Sequence, residues 1–98
     1  MALPTREKAK ELLFEKVKDE CQRKHSEMVA DAMEAYANKF NEDTELWYIT
    51  GLLHDLDYYA FPKEHPAKSV EWFKEWGYPE ELIHAVESHA FMRTNVKP

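Results

Sequence analysis

The run GLLHDLDYYAF, residues 51–61, sets a histidine and an aspartate side by side where a strongly apolar segment ends, with Asp57 two residues on. An unpaired imidazole or carboxylate on an apolar surface is costly. His54 and Asp55 therefore either reach solvent there or hold something between them. Three further histidines, His25, His65 and His89, stand where helices end or turn inward. Neutral imidazole and ionised carboxylate are good ligands for divalent transition metals. Adjacent helical residues point about 100° apart, so at a helix end His54 and Asp55 can bracket one ion. Asp55 has two oxygens and can bridge a pair, which leaves His65 and His89 for the second ion. The competing reading is a set of hydrogen-bonded boundary histidines, and spacing alone does not separate the two. His84 falls on a different side of its helix and is not in the set.

Five helices must position these residues. Thr5 can cap the first, to about Asp19, with Ala9, Leu12, Leu13, Phe14 and Val17 as its apolar stripe. The second runs from about Gln22 to Phe40. There the rhythm His25, Val29, Ala32, Tyr36 predicts that His25 lies on the apolar face. Asn41 or Asp43 can cap a third helix, which carries Leu46, Ile49 and Leu53 and ends near Asp55. Leu56 to Glu64 is a loop broken by Pro62. His65-Pro66 opens a fourth helix with Val70, Trp72, Phe73 and Trp76 as apolar positions, and Gly77 ends it. Pro79 opens the fifth, in which Leu82, Ala85 or Val86, and His89 share a face. No segment alternates as a strand would, and a short polar tail, expected to be loose, follows Phe91.

Composition agrees with an all-α reading. The chain has 98 residues, one domain over 1–98, with 44% apolar and 33% charged residues and only two glycines. That supports a packed core and argues against disorder. The net charge of −6 disfavours nucleic acid as a partner, because phosphate neutralisation needs clustered Lys and Arg. The single cysteine, Cys21, excludes an intrachain disulfide and fits a reducing compartment. No apolar signal core and no run near 18 apolar residues is present, so a soluble, cytoplasmic protein without a membrane partner is expected.

In their order along the chain, HSEMVADAMEAYA with His25, GLLHDLDYY with His54-Asp55, EHPAKSVEWF with His65 and AVESHA with His89 resemble the HD-domain superfamily of metal-dependent phosphohydrolases. The resemblance covers about residues 22–91 and is nearest to small bacterial single-domain members with an HDLDY or HDIDY motif. It implies a compact all-helical bundle around a metal site. His25, His54 and Asp55 would hold one ion, and Asp55 would bridge to a second on His65 and His89. The cofactor would be one or two divalent ions of Mn, Fe, Co, Ni or Zn. The implied chemistry is attack of a metal-activated hydroxide on a phosphate ester or anhydride, a nucleotide among the candidates.

Two departures qualify this. The family pattern ends with a further Asp on a downstream helix, and this chain has no Asp after Asp57. The chain is then expected to be a fragment, to borrow a carboxylate from a neighbouring subunit, or to be a catalytically impaired helical interaction or regulatory module. An apolar face left uncovered by the missing helix would favour self-association. Tyr58 also stands where many members have a phosphate-binding Lys. Lys68 or Lys63 could replace it, against the plainer reading of both as surface lysines. Asp57 is the best candidate for a general base or proton carrier, against a loop carboxylate that caps backbone amides. Tyr58, Tyr59 and Phe61 could wall a pocket or pack over helix ends. A di-iron oxygenase, known among relatives, has a similar ligand set.

Overall fold

A computed structural model describes residues 3–89, the side chain of His89 excepted. Five helices follow one another: α1 Arg6–Lys16, α2 Glu20–Lys39, α3 Thr44–Leu53, α4 Ala67–Glu75 and α5 Glu80–His89. The fold is all-α, and there is no strand among the described residues. The Cα radius of gyration, 12.4 Å, is what a compact chain of this length adopts, about 13 Å.

Side-chain caps set the helix starts. The Thr5 hydroxyl accepts from the Lys8 N–H, Asp19 from Gln22 and Asp43 from Leu46, each near 3 Å. Asp19 thus opens α2 and does not close α1, which stops at Lys16, with Val17 already extended. Arg23 reaches back to accept no bond but to donate two, to the carbonyls of Val17 and Phe14, and so satisfies the orphan acceptors at the end of α1. Its guanidinium covers the Phe14 ring, which is half exposed and does not belong to the buried stripe. The α2–α3 turn is made by Asn41 in the left-handed region, φ 59°. Asn41 therefore ends α2, and Asp43 is the cap of α3. Gly77, φ +73°, ends α4 as expected.

The α2–α3 pair is the most extensive helix contact, and α1 packs on α3. The core is built from Leu13 and Val17 of the α1 segment, Ile49, Leu52 and Leu53 of α3, Leu56, Phe73 of α4, and Leu82 and Val86 of α5. Trp72 and Trp76 stack on each other at its rim and are only partly buried. The α2 face that meets α3 is Ser26, Ala30 and Ala37. The rhythm through His25, Ala32 and Tyr36 faces outward instead: all three are exposed. The reason is the closeness of the crossing. A Cβ at Gly51 of α3 would stand 2.9 Å from the Ala30 Cα and 3.0 Å from Met33. Only small residues fit between the two helices, so the large apolar residues of α2 are not the ones that mark its inner face.

Candidate metal centre

The close α2–α3 crossing carries His25 and His54 to one end of the helix pair, with ring centroids 5.5 Å apart. α3 ends at Leu53, and the chain turns through 54–60. The His54 Nδ1–H donates to the Gly51 carbonyl at 2.6 Å, since a carbonyl can only accept. In the neutral ring this leaves a lone pair on Nε2, which lies 3.1 Å from Asp55 Oδ2. His25 Nε2 is 3.7 Å from the same oxygen. One ligand atom from each of the three residues lies within 4.8 Å of the other two.

The other oxygen of Asp55 faces His65, whose Nε2 is 3.2 Å from Oδ1. His65 is nearly buried, and its Nδ1–H donates to Asp57 Oδ1 at 2.6 Å. Asp57 is fully buried. Its Oδ2 accepts from the Ser69 N–H at 2.9 Å, and its own N–H donates to Ser69 Oγ at 3.0 Å. Asp57 thus ties the 54–60 turn to the first turn of α4 and fixes the ring of His65 between two carboxylates. The capping of a backbone amide and the contact with a histidine are both present in one residue.

The donor set fits a divalent cation. Two imidazoles have their Nδ1 protons committed to a carbonyl and a carboxylate, so their Nε2 lone pairs face the two oxygens of Asp55. Lone pair against lone pair is repulsive unless a proton or a cation stands between them. A second carboxylate or a carbonyl behind each ligating histidine is the usual support of a metal centre. Ligands about 2.1 Å from one ion, at angles of 90–110°, lie about 3.0–3.4 Å apart. The 3.1 Å and 3.7 Å separations around Asp55 Oδ2 are close to that range.

Of the remaining predicted positions, His89 is the last residue of α5, and its side chain lies outside the described ones. Lys68 Nζ sits over the Phe61 ring and 4.0 Å from Glu71. Lys63 and His84 are exposed. The Tyr58 and His65 rings meet in a T-shaped arrangement with centroids 5.5 Å apart, while Phe61 packs on Trp72. Sequence reasoning missed Ser69 and Gly51. Ser69 follows His65 by four residues, the spacing of one helix face, and that was its only signal.

A cavity of about 270 Å³ opens beside the cluster, lined by Val17, Cys21, Gln22, His25, Ser26, Asp55 and Tyr58. Gln22 belongs to this lining, and its Oε1 is buried with no hydrogen-bond partner. Such an orphaned acceptor costs about 1–3 kcal/mol.

The family model for the HD domain matches residues 23–96, which include His25, His54, Asp55, Asp57, His65 and His89. No curated protein and no solved structure matches the chain.

Proposed function

The chain belongs to the HD-domain family, and from that premise we propose that it is a metal-dependent phosphohydrolase acting on a phosphate ester or anhydride. HD domains bind divalent metals, and His25, His54 and Asp55 form a site that suits one. The observation that carries the proposal is Asp55, with a histidine Nε2 within 3.2 Å of each of its oxygens.

In this reading His25, His54 and Asp55 hold the ion, and His65 stands on the second oxygen of Asp55, toward any second ion. When bound, a divalent ion supplies a Lewis acid for the phosphoryl group and makes water acidic enough to attack near neutral pH. The chain's own residues do the rest. The Gly51 carbonyl keeps the proton on His54 Nδ1, and Asp57 keeps the proton on His65 Nδ1. Both Nε2 atoms are thereby left as ligands and not as donors. Asp57 touches His65 and has no exposed surface, so we assign it a positioning role. The Tyr58 ring packs against His65 in a T-shaped contact.

The test is metal content per chain, on protein purified without chelator or a metal-binding tag, followed by a phosphatase screen. About one or two transition-metal ions per chain are expected, lost in Asp55→Ala together with activity while helix content stays. Full activity in Asp55→Ala would sink the proposal. Metal content near zero in the unaltered chain favours a helical interaction module without turnover.

A further inference from the structure

The cavity beside the His–Asp cluster is uncharged apart from the cluster's own members. Among the described residues, Val17, Cys21, Gln22 and Ser26 form one wall and Tyr58 another, and no Lys or Arg lines it. Arg23, next to Gln22 in sequence, is turned to the carbonyls of Val17 and Phe14. An anionic group on the wall away from the cluster would meet neutral surface, with no Lys or Arg among the described lining residues to offset its charge. A phosphate ester whose phosphoryl group sits at the cluster therefore turns its uncharged organic part toward that wall. The volume, about 270 Å³, is just below the roughly 300–1,000 Å³ of pockets for drug-sized ligands, so that side is small. Gln22 adds a polarity. Its Oε1 is buried and has no partner, and the terminal amide torsion is soft, so a turn of the amide toward the cavity lets a donor on the ligand satisfy it. Val17, Cys21 and Gln22 precede residue 23, where the match to the family begins.

Resting on the phosphohydrolase reading, we propose that this cavity is the leaving-group pocket. It takes a small, uncharged alcohol bearing a hydrogen-bond donor, so the substrates are phosphate monoesters and not polyphosphates. Gln22 is the residue that reads the donor. In the reaction the oxygen of water forms a bond to phosphorus and the bond from phosphorus to the alcohol oxygen breaks. A proton from water ends on the alcohol, and the products are the free alcohol and inorganic phosphate.

Cys21 makes the pocket observable without turnover. It is the one cysteine in the sequence, it is exposed, and it lines the cavity. The experiment follows alkylation of Cys21 by iodoacetamide in the full chain with Mn²⁺, in the presence of glycerol 1-phosphate, propyl phosphate, inorganic pyrophosphate or inorganic phosphate. Hydrolysis of the first three is measured in parallel. Glycerol 1-phosphate should slow alkylation and show a KM roughly three- to tenfold below that of propyl phosphate, the contribution of one hydrogen bond. Gln22→Leu should erase that difference. The comparison in the unaltered chain stands even if that variant fails to fold. Preference for pyrophosphate, or hydrolysis of glycerol 1-phosphate without protection of Cys21, overturns the pocket assignment. Protection of Cys21 without hydrolysis of any compound supports the pocket and overturns the phosphohydrolase reading. Neither protection nor hydrolysis overturns both.

Discussion

Asp55 depends on residues that never touch it. His65 offers it a lone pair only because Asp57 holds the proton at the far nitrogen. Asp57→Asn puts an amide between His65 and the Ser69 N–H, with one oxygen for two donors. If the oxygen stays on Ser69, the amide N–H₂ faces His65 Nδ1 and drives its proton to Nε2, against Asp55. If it turns to His65, two buried donors face each other. Either way, metal affinity should fall about 10–100-fold, as is usual when the support of a ligating histidine is lost. Titration with Mn²⁺ and ¹⁵N shifts of His65 check this; unchanged affinity together with an unchanged tautomer would refute it. At this scale the sequence was partly legible. His54-Asp55 announces itself, because two polar residues end an apolar run. His65 and Asp57 were visible as candidates, but their contact across the 54–66 turn was not. Ser69 was missed, since its four-residue spacing from His65 says nothing of its bonds to Asp57.

Gly51 decides how closely two helices approach, and through them the separation of His25 from His54. Gly51→Ala places a methyl 2.9 Å from the Ala30 backbone, which a rotamer change cannot relieve. Overpacking of this kind costs about 1–3 kcal/mol, and the better helix propensity of alanine returns up to about 1. A net loss of about 1–2 kcal/mol in denaturant unfolding is expected, along with weaker metal binding as α2 is pushed off α3. A stability equal to or above that of the unaltered chain would show that the crossing has slack. The start at Thr5 was legible and so was the stop at Gly77, while the third helix start was narrowed only to Asn41 or Asp43, of which Asp43 is the cap. Asp19 was misread because it follows a run that still reads as helical. The inner face of α2 was misread for a different reason. Hydrophobic rhythm follows bulk, and here the buried face is Ser26, Ala30 and Ala37, chosen for lack of bulk.

For the molecule as a whole, the all-α class was legible from scarce glycine and helix-favouring residues, and the five helices fall near their expected places. No helix among the described residues is long and apolar enough to cross a membrane. Less legible was how α1 is attached. Arg6 bonds Glu34 of α2 and Glu45 of α3 and lies over the Tyr48 ring, and those two glutamates hold its guanidinium charged. Nothing in the sequence pairs residues so far apart. Tyr78 stacks on Phe73, and burial pushes its phenol above its ordinary 10.0. The fold thus favours the protonated phenol. Its contribution is complete below pH 10 and is lost as pH rises through the folded value, since the unfolded chain ionises first. Stability should therefore fall more steeply above about pH 10 in the unaltered chain than in Tyr78→Phe. Denaturant midpoints compared across that range check it, and parallel slopes would rule it out.

The turn at Asn41 has a practical use. His25, His54 and Asp55 all sit at one end of the α2–α3 hairpin, and residues 39–43 at the other are exposed. With a rise of 1.5 Å per residue, the turn lies roughly 15–25 Å from the His–Asp cluster along the two helices. An epitope, a fluorophore or a surface tether fused at this tip would leave both the His–Asp cluster and the Cys21 wall untouched. It offers an attachment point for immobilising or imaging the protein with the His–Asp end free.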